Sequence, residues 1–152
     1  MKIAFDVDVI KHLPITQMVR QVSEWGYKYI EQSPHPRINP FYKHPKAGRD
    51  TMQEYKRALQ NYGVEISSFI VVYRWSGPDE ERRRAAVTNW KRMIEIAVDM
   101  GVQVINTELS GTRMSRRFVK RCGIAPWRNC CRSWNEREFE SKFSLTPGIS
   151  AN

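Results

Sequence analysis

The sequence predicts an α/β protein of four strand–helix units followed by an irregular C-terminal tail, about half of what a (β/α)8 barrel requires. Three observations carry this. Apolar residues switch repeatedly between short strand-like runs and three- to four-residue helical steps along residues 1–111. These four units take roughly 28 residues each, whereas a complete barrel needs about 250. From Thr112 the periodicity stops and arginine accumulates, which divides the chain into residues 1–111 and a basic tail, residues 112–152.

The first unit begins with KIAFDVDV, a short strand with the apolar residues Ile3, Phe5 and Val7, in which Asp6 and Asp8 cluster towards the C-terminal end. Its helix is ITQMVRQVSEWG: Ile15, Met18, Val19, Val22 and Trp25 share a face, Pro14 starts it and Gly26 stops it. YKYIEQ is the second strand. A proline-rich loop, SPHPRINPFYKHPKAG, leads to the helix DTMQEYKRALQNYG, with Met52, Tyr55, Leu59 and Tyr62 on one face and Gly63 at its end. VEISSFIVVY is the third strand, and its apolar IVV run predicts burial on both faces, as in parallel sheets. In SGPDEE, Ser76 or Gly77 can cap a helix, Pro78 fits the first turn, and Asp79, Glu80 and Glu81 suit the positive end of its dipole. That helix runs to Met100 with Ala86, Trp90, Met93, Ile94, Ala97 and Val98 as its apolar face, Gly101 ends it, and VQVINTEL is the fourth strand.

Such alternation implies parallel strands joined by right-handed crossovers. An open doubly wound sheet, a small complete α/β domain and a partial barrel all satisfy it. No GxGxxG follows a strand and there is no P-loop, which argues against a nucleotide-binding unit.

At 152 residues and 41% hydrophobic content the chain suits one folded domain. No run approaches about 18 apolar residues, and MKIAFDVDVIKHLP places no basic region ahead of a long apolar segment, so neither a membrane span nor a secretory signal is expected and the cytoplasm is the default compartment. A net charge of +9 would ordinarily raise nucleic acid or an acidic membrane as a partner. The tail, however, holds nine Lys and Arg against three Glu, leaving only +3 for residues 1–111. Cys122, Cys130 and Cys131 also lie in the tail, and their odd number and the adjacent pair indicate neither a disulfide framework nor a paired zinc motif.

In parallel α/β architectures ligands bind at the C-terminal ends of the strands. That rule selects Asp6 and Asp8, Glu31, then Tyr73, Arg74 and Trp75, and finally Asn106 and Glu108, which share a face because strand side chains repeat every two residues. Carboxylates, an amide, an arginine and aromatics together suit a polyol, whose hydroxyls need donors and acceptors and whose ring can rest on an indole. The plainer alternative is that such carboxylates cap the next helix or pair with Lys and Arg; it weighs most for Asp6 and Asp8 and less for Glu31 and Glu108. His35 and His44 are expected to be solvated surface residues of the proline-rich loop, Arg82–Arg84 a solvated helix face, and His12 has no assignment.

YKYIEQSPHPRINPFYKHP, SSFIVVYRWSGPDEERR and VINTELSG resemble the N-terminal half of an inositol-catabolism branch of the xylose-isomerase-like TIM barrels, a superfamily of sugar isomerases and epimerases. The resemblance covers residues 1 to about 111. It implies isomerase or epimerase chemistry on a keto-inositol or related sugar, with a divalent metal stabilising an enediolate in the full-length family. The metal ligands would come mainly from the second half of the barrel, so none is expected to be fully coordinated by this chain. The resemblance places Glu31, Trp75 and Glu108 at positions facing substrate; with Asp6, Arg74 and Asn106 they form the expected substrate-binding set, and no catalytic residue is assigned.

The family would continue past Gly111 with a fourth helix and a fifth strand, and the tail shows neither period. A frameshift would account for this, because codons for the tail can be chosen so that the neighbouring frame gives an acidic helix start, an amphipathic helix, a glycine stop and a strand; the alternative is a natural, divergent tail. The chain is then expected to be inactive alone and to self-associate through open sheet edges. Two other readings predict different behaviour: a basic module gripping nucleic acid with Trp127 and Trp134 stacking on bases, and a half-barrel scaffold pairing with a partner.

Overall fold

The computed structural model describes residues 2–74, 79–108 and 147–148. Five parallel strands, β1 (Ala4–Asp6), β2 (Tyr29–Gln32), β3 (Glu65–Val71), β4 (Ile105–Glu108) and the two-residue β5 (Pro147–Gly148), form one sheet in sequence order. Three helices connect the first four: α1 (Ile15–Glu24), α2 (Arg49–Tyr62) and α3 (Glu80–Met100), with a 3-10 turn over Val7–Ile10 after β1. This is a partial (β/α)8 barrel. The fourth helix position, Trp75 and nearly all of the tail, including its cysteines, lie outside the described residues, while the pairing of β5 with β4 puts a short strand where none was expected.

Parallel register sorts the side chains. Asp6 pairs with Glu31, Glu31 with Ser68, and Ile70 with Asn106, so these residues share the face that corresponds to a barrel interior. The opposite face carries Ile30, Phe69, Val71 and Ile105, all buried in one cluster with Met18, Val19 and Val22 of α1, Tyr55 of α2 and Met93 and Ala97 of α3. Both faces of β3 are covered as its IVV run predicts, Phe69 and Val71 on the helix side and Ser68 on the interior side, with Ile70 partly covered.

The helices end as expected. Gly63 and Gly101 sit at φ 64° and 72°, the left-handed region open to glycine, and close α2 and α3 by directing their amides back to carbonyls of the last turn. Two local readings need correction. Asp79, rather than Ser76 or Gly77, caps α3: its side chain accepts the Arg82 amide at 3.1 Å, and Pro78 falls before the helix. Trp25 lies just beyond α1, half exposed, with its ring 5.1 Å from that of Phe5.

One buried polar contact ties α2 to the end of β2. The Tyr55 hydroxyl donates to Gln32 Oε1 at 2.5 Å, and Gln32 Nε2 donates to the Ser33 carbonyl at 2.6 Å. Burial pushes the Tyr55 phenol pKa up, so it stays a donor. Replacing Tyr55 by Phe strands the Gln32 oxygen and is expected to cost about 1–3 kcal/mol in urea denaturation. In the double variant Tyr55→Phe/Gln32→Leu the loss should be smaller than the sum of the single losses, a coupling read from the double-mutant cycle.

Candidate functional site

The interior-face residues at the strand ends are held in two hydrogen-bonded groups. Glu31 Oε1 accepts from Asn106 Nδ2 at 2.7 Å and from Ser68 Oγ at 3.0 Å, bringing β2, β3 and β4 together on one oxygen. Its second oxygen, Oε2, has no hydrogen bond among the described residues. In the other group, Asp6 Oδ1 accepts from the Asp8 amide at 2.9 Å and from the Ser33 hydroxyl. Asp6 thus caps the 3-10 turn, as the plainer alternative anticipated, while remaining in register with Glu31. Asp8 turns away to pair with Lys11 at 2.9 Å.

Arg74 lies at the end of β3, exposed, with its guanidinium 4.4 Å from the centre of the Tyr42 ring. Glu108 ends β4 and pairs in register with Gly148. The structure thus joins Asp6, Glu31 and Asn106 on one surface and leaves Arg74 to the side, against the loop.

That loop, residues 33–48, is not the solvated segment expected. His35 is only 3% exposed. Its Nδ1 accepts the Arg37 amide at 3.1 Å and its Nε2 lies 3.3 Å from the Leu13 carbonyl, which fixes the neutral tautomer with the proton on Nε2. Asn39 accepts the His35 amide at 3.1 Å and donates to the Ile70 carbonyl at 2.9 Å, fastening the loop to β3. His44 is exposed as expected, though its Nδ1 lies 3.0 Å from Oδ1 of the buried Asn89. Arg82–Arg84 are engaged in ion pairs with Asp79 and Glu80, so that face is a charge network.

Sequence reasoning missed Ser68, Ser33 and His35. The length of a proline- and asparagine-bearing loop between regular elements was the available signal for His35, because such segments in compact domains commonly serve a site. Nothing comparable marked the serines.

Among the described residues no three His, Cys, Asp or Glu side chains converge in a way that could hold a metal ion. Also among them, no helix is long and apolar enough to cross a membrane.

Parallel strands under crossover helices, with carboxylates, an amide and serines on the interior C-terminal rim, define a partial (β/α)8 barrel with a polar inner rim. Residues 19–141 match the family model for xylose isomerase-like TIM barrels, and the chain belongs to that family. The match runs past Gly111, where the resemblance read from the sequence stops. A comparison with curated proteins gives no match. Among solved structures the chain is similar to a 3-keto-D-glucoside 4-epimerase from E. coli (TM-score 0.68, 16% identity, covering 97% of this chain and 55% of that one). It is also similar to a xylose isomerase-like TIM barrel protein from Mycobacterium smegmatis in complex with magnesium (0.60, 18%, 90% and 47%). A third is D-psicose 3-epimerase from Clostridium cellulolyticum H10 with D-tagatose (0.65, 12%, 88% and 46%). The chain spans about half the length of these structures, and at such identities the likeness is one of fold.

Burial lowers the His35 pKa below its ordinary 6.5, outweighing the hydrogen bond to the Leu13 carbonyl that raises it. The unfolded chain therefore binds this proton more readily than the folded one, and stability falls as pH drops below about 6.5 toward the depressed folded value. Urea denaturation at pH 7.5 and 5.5 should show this loss, and His35→Gln should be destabilised at pH 7.5 but largely insensitive to that pH step.

Proposed function

We propose that this chain supplies the first half of a sugar isomerase or epimerase site, with a polyhydroxylated ketone as substrate and an inositol-derived keto sugar as the narrowest form of the reading. The supporting observation is Glu31. Two donors fix one of its oxygens and leave Oε2 without a hydrogen bond among the described residues, which suits it to accept from a substrate hydroxyl. Asp6, in register beside it, offers a second acceptor, and Asn106 sets the carboxylate plane. Trp75 and Glu108 complete the proposed substrate-facing set from the ends of the third and fourth strands, while Arg74, expected with them from the sequence, is turned aside onto the Tyr42 ring.

The names of the solved relatives, a keto-glucoside epimerase and a ketose epimerase with tagatose, favour ketose chemistry, and the magnesium complex of another favours a divalent metal in the complete site. The described residues do not fit such a metal by themselves. We therefore assign this half to orienting hydroxyls, and proton transfer to groups beyond it. Residues 112–152 are read, in this proposal, as an out-of-frame continuation, against which the extension of the family match to residue 141 weighs. Sequencing the gene through the codons for Glu108 to Trp127 and beyond tests that point: an intact frame with no shifted barrel continuation would refute it.

The substrate reading is tested by ligand-observed NMR with 2-keto-myo-inositol and, as a control, a non-hydroxylated ketone of similar size. The keto-inositol should bind selectively. Glu31→Gln keeps an oxygen for Ser68 and Asn106 and presents an NH2 where Oε2 was, turning an acceptor into a donor, so binding should weaken about tenfold. Equal binding of both ketones, or undiminished binding by Glu31→Gln, would remove the basis of the proposal. Deuterium exchange from solvent into the ligand should stay at background for this chain alone.

A further inference from the structure

A cleft of about 340 Å³ opens between Tyr42, the C-terminal end of β3 and the first turns of α3, lined by Tyr42, Tyr73, Arg74, Arg82, Ala86 and Asn89 among others. Three features there point to a ligand. Tyr73 is 1% exposed, yet its hydroxyl has no hydrogen-bond partner among the described residues. A buried unpaired hydroxyl is a destabilising choice where Phe would serve, and calls for a ligand or a role. Tyr42 adopts φ 53°, an outlier for a bulky residue, and is held there by its amide bond to the Val72 carbonyl at 3.2 Å. The guanidinium of Arg74 lies over the Tyr42 ring with no carboxylate partner among the described residues.

We propose that this cleft binds a small-molecule oxyanion, a phosphate monoester or a carboxylate, with Arg74 as its charged anchor and the Tyr73 hydroxyl as a neutral donor. Stacking on Tyr42 fixes the guanidinium plane while leaving its N–H edge free for two parallel bonds to an anion. Burial pushes the Tyr73 phenol pKa up, so it keeps its proton and can donate. Asn89 Oδ1 accepts from His44 Nδ1–H at 3.0 Å, and its amide NH2 has no bond among the described residues. The nearby carboxylates are already engaged: Asp79 holds the Arg82 side chain and amide, and Glu80 holds Arg83 and Arg84. Arg82 is consequently a secondary cation and Arg74 the principal one. The site stands whether or not Glu31 binds a sugar, because none of its groups touches Glu31, Ser68 or Asn106 among the described residues.

The test is titration of the full-length chain with sodium phosphate and, separately, sodium acetate, at constant ionic strength against sodium chloride, followed by isothermal calorimetry and amide chemical shifts. Saturable binding of one or both is expected, with phosphate favoured if the natural ligand is a phosphate ester and acetate if it is a carboxylate. Arg74→Gln, a change at an exposed residue, should weaken binding about tenfold or more. Tyr73→Phe should weaken it several-fold while raising the melting temperature of the ligand-free protein by about 3 °C, because an unpaired buried hydroxyl is gone. A structural role for Tyr73 would move these two readouts together. No saturable binding of either probe, or equal binding by wild type and Arg74→Gln, the signature of diffuse attraction to the basic tail, would overturn the proposal.

Discussion

Parallel pairing is the constraint on which the remaining architecture depends. A parallel strand cannot be followed by its neighbour through a tight turn, so each of the first three strands needs a crossover, and the crossover helix must cover one sheet face. That requirement places Ile30, Phe69, Val71 and Ile105 under α1, α2 and α3, and releases the other face for Asp6, Glu31, Ser68 and Asn106. It also brings all the C-terminal strand ends to one rim. Polar residues far apart in sequence, such as Glu31 and Asn106, then meet at 2.7 Å without any local signal between them.

Much of this was legible because it follows from periods. The helical steps that mark α1, α2 and α3 are imposed by the same burial that the structure shows, apart from Val98 of the expected α3 face, which is exposed. What could not be read is register. Between Ile30 and Glu31 the pairing with β3 shifts by one residue, so Ile30 opposes Ile66 whereas Glu31 opposes Ser68. Ser67 is left over and turns its hydroxyl to the Ile30 carbonyl at 2.9 Å. Two adjacent serines thus acquire different roles from a bulge, and a one-residue slip decides which of them faces Glu31. Composition contains no trace of that choice.

The helix caps show the same division between what is local and what is not. Glycine at the ends of α2 and α3 is a local requirement of left-handed backbone, and it was visible. At the start of α3, the string SGPDEE offers several acceptable capping residues, and Asp79 takes the position that Ser76 or Gly77 could have filled. His35 was misjudged for a related reason. A histidine among prolines reads as surface, but its Nε2 meets the Leu13 carbonyl, which lies 22 residues earlier in the chain and after β1.

The segment from Ser33 to Gly48 therefore carries more of the site than its irregular backbone suggests. A chain without a ladder must satisfy its amides and carbonyls by other means when it is not wholly in water. Here side chains do so: His35 takes the Arg37 amide, Asn39 takes the His35 amide, and Asn39 reaches across to the Ile70 carbonyl. The Tyr42 amide then reaches the Val72 carbonyl, extending the attachment from the last residues of β3 to just beyond its end. Each bond fixes the next, so the ring beneath Arg74 is positioned by a chain of contacts that begins at Ser33 on Asp6. The rim group around Glu31 and the cleft around Arg74 are separate in chemistry, but both lean on this loop. A substitution at His35 or Asn39 would disturb the cleft before it disturbed Glu31, whose partners Ser68 and Asn106 come from the strands themselves.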